Sequence, residues 1–210
     1  MLRTATLSTL VLVTFVHAET FWTGKPFTEW TEKEARSLLN HSPWVRQATF
    51  SVFAAPRVAG DRSRREIRYF VSFRSAKPIR MALARMAMLT GQFDQDRAED
   101  YVQTRPFDGE IVVALASDSR QRRGDLDSHT TDHLKSSTYL QVGKKGRRLQ
   151  LRRYLGPSES KTNEGLFLFQ REEIVPEDKE ISFVTDLGAG IKLKSKFKLR
   201  PMVFEGSVEL

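Results

Sequence analysis

No cysteine occurs anywhere in the 210 residues. That absence excludes disulfides, thiolate nucleophiles, cysteine-ligated zinc, thiol redox chemistry and lipidation on a cysteine. Histidine is scarce, with four residues in the chain, so imidazole chemistry has few places to reside. Long apolar runs are also missing. The N-terminal apolar stretch falls short of the roughly 20 residues a helix needs to cross a bilayer, and no other apolar segment is long enough to span. No G-x-S-x-G elbow occurs, and no glycine loop that would cradle a phosphate. Gly188-Ala189-Gly190 stands between two strand patterns with no helix after it, so it reads as a hairpin turn.

What is present begins with the first eighteen residues, MLRTATLSTLVLVTFVHA. Arg3 precedes an apolar run over 7–16, and Val16-His17-Ala18 supplies the small-residue pattern of a cleavage site, so an export signal cut after Ala18 is expected. Residues 19–210 then form the working protein, periplasmic or extracellular, with no transmembrane span. Hydrophobic residues make up 40% of the chain, including 14 Phe, enough for an ordinary core and against disorder.

Thr31 and Glu34 have the spacing of a capping box, predicting a helix over 32–40 that Ser42-Pro43 stops. The three tryptophans, Trp22, Trp30 and Trp44, surround it and read as a satellite core. Alternating apolar residues predict strands at 47–55 and 66–74, joined by a basic connection as a long-looped hairpin. A helix follows over 75–91 with Pro78 in its first turn and Gly91 as its stop. Its apolar face is Ile79, Ala82, Leu83, Met86 and Leu89 or Thr90. A short helix is expected within 94–101.

The run over 109–117 is almost continuously apolar and has a strand's length, which predicts a strand buried on both faces at the centre of a sheet. A charged stretch follows, and the composition shift at 118–126 marks a candidate internal boundary. Beyond a polar helix at 127–135 the chain reads as β, with segments at 139–142, 148–154, 165–170, 180–185, 191–199 and 202–210. Turn signals at this spacing predict an antiparallel meander or sandwich. The expected class is α+β: a helix-bearing N-terminal half on a mixed or antiparallel sheet, and a strand-rich C-terminal half, packed as one unit.

Two groups of residues stand out chemically. His129 and His133, in HTTDH, have the i, i+4 spacing that can hold a zinc ion from one helical face, with Asp125, Asp127 and Asp132 nearby. A zincin would carry glutamate after the first histidine, where Thr130 stands, and no third ligand is identifiable. The second group is basic. Over 191–200, Lys192, Lys194, Lys196, Lys198 and Arg200 alternate with Ile191, Leu193, Ser195, Phe197 and Leu199. In a strand, period-two alternation puts the cations on one face. A second basic run contains Lys144, Lys145, Arg147, Arg148, Arg152 and Arg153. With Lys and Arg outnumbering Asp and Glu by 34 to 26, these runs suit an anionic surface or an acidic partner.

Two segments, FTEWTEKEARSLLNHSPW and the chain from FLFQREEIVPEDKE to Leu210, resemble secreted bacterial proteins of uncharacterised role. In those proteins a Trp-Ser/Thr-x-x-Glu helix ending in Ser-Pro-Trp follows the signal, and a β region closes the chain with a Met-x-x-x-Gly-x-x-x-Leu-like tail, here Met202 to Leu210. The likeness extends distantly to GWxTD-domain proteins, whose signature is absent because Glu29 and Lys33 replace its Gly and Asp. The resemblance implies a location and a domain type, and no catalytic residue.

The expectation is therefore an exported envelope protein that binds through its basic β face. It would meet an anionic envelope component or a partner protein, with nucleic acid disfavoured by export and no cofactor required. The reading leans away from an enzyme. The alternative is a metal-dependent hydrolase centred on His129 and His133.

Overall fold

The computed structural model describes residues 21–53, 64–104, 109–118, 125–144, 146–188 and 190–210. The expected signal and its cleavage point at Ala18 lie outside these residues. So do most of the connection between the first two strands and most of the charged stretch after residue 117.

The chain enters through a single helical turn, α1 (Phe21–Gly24), and a 3-10 turn (Phe27–Glu29) before α2 (Glu32–His41). The capping box forms as the sequence requires. The Thr31 hydroxyl accepts the Glu34 N–H at 3.3 Å, and the Glu34 carboxylate accepts the Thr31 N–H at 2.7 Å. That backbone N–H, and after it the Lys25 ammonium, lowers the Glu34 carboxyl to about 2. Trp30 and Trp44 are fully buried, with Phe21 and Trp22 set edge-on around them. They belong to the main core rather than to a satellite of it.

Eight strands make one sheet: β1 (Val45–Phe53), β2 (Arg64–Phe73), β3 (Glu110–Ser117), β4 (Tyr139–Val142), β5 (Arg148–Leu155), β6 (Glu164–Gln170), β7 (Glu180–Asp186) and β8 (Lys192–Lys198). Every pairing is antiparallel, in the order β1-β2-β3-β6-β5-β4-β7-β8. The strands after residue 137 do not stack as a second sheet, because β3 pairs with β6 and joins them to the N-terminal hairpin. Within the sheet, β4, β5 and β6 are consecutive neighbours and β7 returns beside β4, which is a Greek key rather than a simple meander.

The sheet curls until its outer strands meet. The Arg46 guanidinium on β1 lies 4.9 Å from the Phe197 ring centroid of β8 and donates from Nε to the Lys196 carbonyl at 3.0 Å. Phe73 and Phe197 pack edge to face inside the seam. The fold is thus an α+β protein on a nearly barrel-shaped antiparallel sheet.

Helix α3 (Lys77–Leu89) starts with proline in its first turn and leads into Gly91, whose φ of +71° suits glycine. Its buried face differs from the expected one. Ile79 and Ala82 are in the core together with Met81 and Ala84, while Leu89 is exposed. Helix α4 (Gln95–Gln103) begins at Asp94, whose carboxylate accepts the Arg97 N–H at 2.9 Å. The polar helix expected over 127–135 is interrupted. Residues 125–127 are helical, 128–130 are not, and α5 (Thr131–Lys135) restarts with the Thr130 hydroxyl accepting the His133 N–H. A last turn, α6 (Pro157–Ser160), precedes β6.

The segment 202–210 is not one strand. A 3-10 turn (Arg200–Met202) leads to a hairpin of β9 (Val203–Phe204) and β10 (Ser207–Val208). The Glu209 carboxylate then accepts the Lys77 N–H at 2.9 Å, so it caps α3 from afar. The Trp44 indole donates to the Glu209 carbonyl at 2.8 Å, and Arg171 donates to the Leu210 oxygen at 2.7 Å.

Candidate functional site

Strand β8 follows the expected alternation: Leu193, Ser195 and Phe197 are buried while Lys192, Lys194, Lys196 and Lys198 are exposed. The register carries this outer face across the neighbouring strands. One row runs Arg148, Gln141, Ser182, Lys196, and the next runs Gln150, Tyr139, Val184, Lys194. The two basic runs therefore share a face, separated by β4 and by β7, which places Glu180 and Asp186 on that face, a span of about 14 Å at the usual strand spacing.

Each cation has a distinct setting. Lys196 pairs with Glu180 at 2.9 Å and Lys192 approaches Asp186 at 3.7 Å. Lys194 and Lys198 have no carboxylate partner among the described residues. Arg148 lies over the Tyr139 ring at 4.3 Å and donates to Gln141 at 3.1 Å. A bulge between Leu151 and Arg153 shifts the register and leaves both Arg152 and Arg153 exposed, with Arg152 at 3.9 Å from Glu110. Arg200 is exposed in the 3-10 turn after β8. Exposed pairs of this kind are weak, about 0–1 kcal/mol each, so the two carboxylates offset the field only in part. Such a face can hold an extended anion.

His129 and His133 are brought together, but not on one helical face, since His129 precedes α5. Their rings stack at 5.2 Å with Nδ1 atoms 3.1 Å apart. Burial, and after it the neighbouring His133, lowers the proton affinity of His129, while Asp125 acts in the opposite direction. Asp127 is committed elsewhere. Its carboxylate accepts the Ser158 N–H at 2.7 Å at the start of α6. Among the described residues no group of three or more His, Cys, Asp or Glu is placed to hold a metal, whereas a catalytic zinc site uses three protein ligands.

A third feature escaped the sequence reading. On the outer side of β3 and β6 lies a small second core of Val112, Ala114, Leu166 and Leu168, and its Leu166 lines a cavity of about 530 Å³. Around it stand Arg74, Arg80, Tyr101, Glu110, Glu164 and Arg171. The Arg74 guanidinium is doubly hydrogen-bonded to the Glu164 carboxylate. Arg80, only 2% exposed, donates to the carbonyls of Val102 and Ser75. Burial raises the Tyr101 hydroxyl above its ordinary value, against the pull of Arg74 and Arg80. These residues come from separate stretches of chain. The one local trace is Arg80 inside the apolar run IRMALA, where a cation must find partners.

No family model matches the chain, and no curated protein matches it. The chain is similar to a crystal structure of a protein of unknown function from Burkholderia pseudomallei. The identity is 11% and the TM-score 0.41, with 62% of this chain and 74% of that chain covered.

Proposed function

We propose that the protein is an exported, non-enzymatic binding protein that takes a phosphate-bearing polyanion of the bacterial envelope on the outer face of β5, β4, β7 and β8. The observation that carries this is the register: it aligns Arg148 with Lys196 and sets Lys194, opposite the neutral Val184, on the same face. The export pattern before Glu19, the cysteine-free composition and the resemblance to secreted bacterial proteins support the compartment. A partner protein with an acidic face is the competing occupant. The alternative, a metal-dependent hydrolase centred on His129 and His133, would need a third metal ligand, and among the described residues no group of three is placed to supply one.

The test uses the K192E/K194E/K196E/K198E variant, checked for folding by circular dichroism, with vesicles containing phosphatidylglycerol and with soluble polyphosphate. Wild type should bind at least one of them at low salt and release it as salt rises. The variant should bind about a thousandfold weaker or not at all, because each lysine near an anionic surface contributes about 1 kcal/mol and four are reversed. Vesicle binding alone assigns the lipid headgroup, and polyphosphate binding alone assigns a free polymer. Equal binding by wild type and variant, or no binding of either probe, overturns the proposal.

A further inference from the structure

The cavity between α3, α4 and the outer side of β3 and β6 is independent of the lysine face, which lies on the other half of the sheet. We propose that it is a binding site for a short neutral saccharide, two or three sugar rings long.

The volume, about 530 Å³, falls in the range of small-molecule sites. Period-two alternation puts Glu110 on the outer face of β3 with Val112 and Ala114, and Glu164 on the outer face of β6 with Leu166 and Leu168. Both carboxylates line the cavity. The register sets Glu110 opposite Gln170, and Glu164 opposite Ala116, so the two backbone positions stand about 20 Å apart along the strands. The space is elongated, and a few rings in line span it once the side chains lean inward.

The charged groups of the lining already have partners. Arg74 is held by Glu164, Arg80 and Arg171 donate to backbone carbonyls, and Glu110 lies 3.9 Å from Arg152. No charge on the ligand is called for. What remains is hydrogen-bonding capacity of both kinds. The Tyr101 hydroxyl, packed beside Phe93, and the Asn163 carboxamide have no hydrogen-bond partner among the described residues. The Glu110 carboxylate, on a side chain only 17% exposed, accepts no hydrogen bond there either. The Ser75 hydroxyl accepts the Val112 N–H at 2.8 Å, which leaves its own proton to give. These groups surround apolar contacts from Leu83 on α3 and Leu166 on β6. A hydrocarbon would leave the Glu110 carboxylate desolvated and without a donor, at a cost in free energy. Sugar hydroxyls both donate and accept, and the C–H face of a sugar ring covers apolar surface, so a neutral saccharide meets the whole set.

The probes are maltose, cellobiose, lactose, mannobiose and N,N′-diacetylchitobiose, titrated by calorimetry up to about 10 mM. Glucuronic acid and glucosamine serve as charged counterparts, and trialanine as a peptide. Wild type should bind at least one disaccharide one-to-one with a Kd of about 1 mM or below, and more tightly than any of the three counterparts. E110Q should weaken that binding by about tenfold, because a hydrogen bond to a charged group becomes one to a neutral amide, and Y101F by about three- to tenfold. Both substitutions are near-isosteric, and neither side chain has a hydrogen bond within the fold to lose, so the unfolding midpoint in urea should stay where it is. The fourfold lysine variant should bind the disaccharide as wild type does, which separates this site from the basic face. No binding of any disaccharide at that concentration, tighter binding of a charged sugar or of trialanine, or indifference to both E110Q and Y101F overturns the proposal.

Discussion

The two halves of the sheet bury their strands differently. β3 and β6 are enclosed on both faces, by the main core inside and by the small cluster of Val112, Ala114, Leu166 and Leu168 outside. β8 is enclosed on one face and carries lysine on the other. One sheet therefore uses both sequence patterns available to a strand: a continuous apolar run where it is covered and strict alternation where it is open. The covered half contains the cavity, framed by buried and half-buried arginines, while the open half displays exposed cations.

The largest effect should come from exchanging the two patterns. V112K places an unpaired charge in a fully buried position, and a loss above about 3 kcal/mol is expected in urea unfolding. K194V should stay within about 0.5 kcal/mol of wild type. Similar losses for both would break the distinction between the halves. A smaller effect is expected at Gly165, where β5 and β6 meet. A Cβ there would stand 2.5 Å from the Tyr154 hydroxyl, which donates to the Leu126 carbonyl at 2.6 Å. G165A should displace the ring and lower stability by about 1–3 kcal/mol in the same assay.

The smallest effect concerns pH. Folding lowers the proton affinity of His129, so below about pH 6.5 the unfolded chain binds more protons than the folded one. Stability contributed by the neutral ring is complete above that pH and declines as pH falls through the depressed folded value. H129Q should make the acid limb of the stability profile shallower and leave the profile near pH 8 unchanged. An unaltered acid limb would show that this ring takes no part.

Where information is local, the sequence was legible. Thr31 and Glu34 announce a helix start from spacing alone, the apolar run over 109–117 announces a central strand, and the lysines of β8 announce an open face. The interruption before α5 was less visible, although Thr130 three residues before His133 is itself a capping signal that competed with the expected continuation of the helix. Strand order was not legible, because the return of β7 beside β4 depends on pairing energies between distant segments. The sandwich expectation failed for that reason. The cavity was hidden more deeply. Its frame is assembled from β2, α3, α4, β3, β6 and their connections, and no spacing rule links Arg74 to Glu164 across 90 residues.

The hairpin of β9 and β10 ties the kinetics of the molecule to its longest sequence separations. Glu209 satisfies the first turn of α3 and the indole of Trp44, a contact spanning 165 residues. Contacts of that range form late and slowly, because loop closure must precede any gain from them. Once made, they convert what would be a fraying tail into part of a cooperative unit with the start of α3 and the tryptophan core, so amide exchange in residues 207–210 should follow global unfolding rather than local opening.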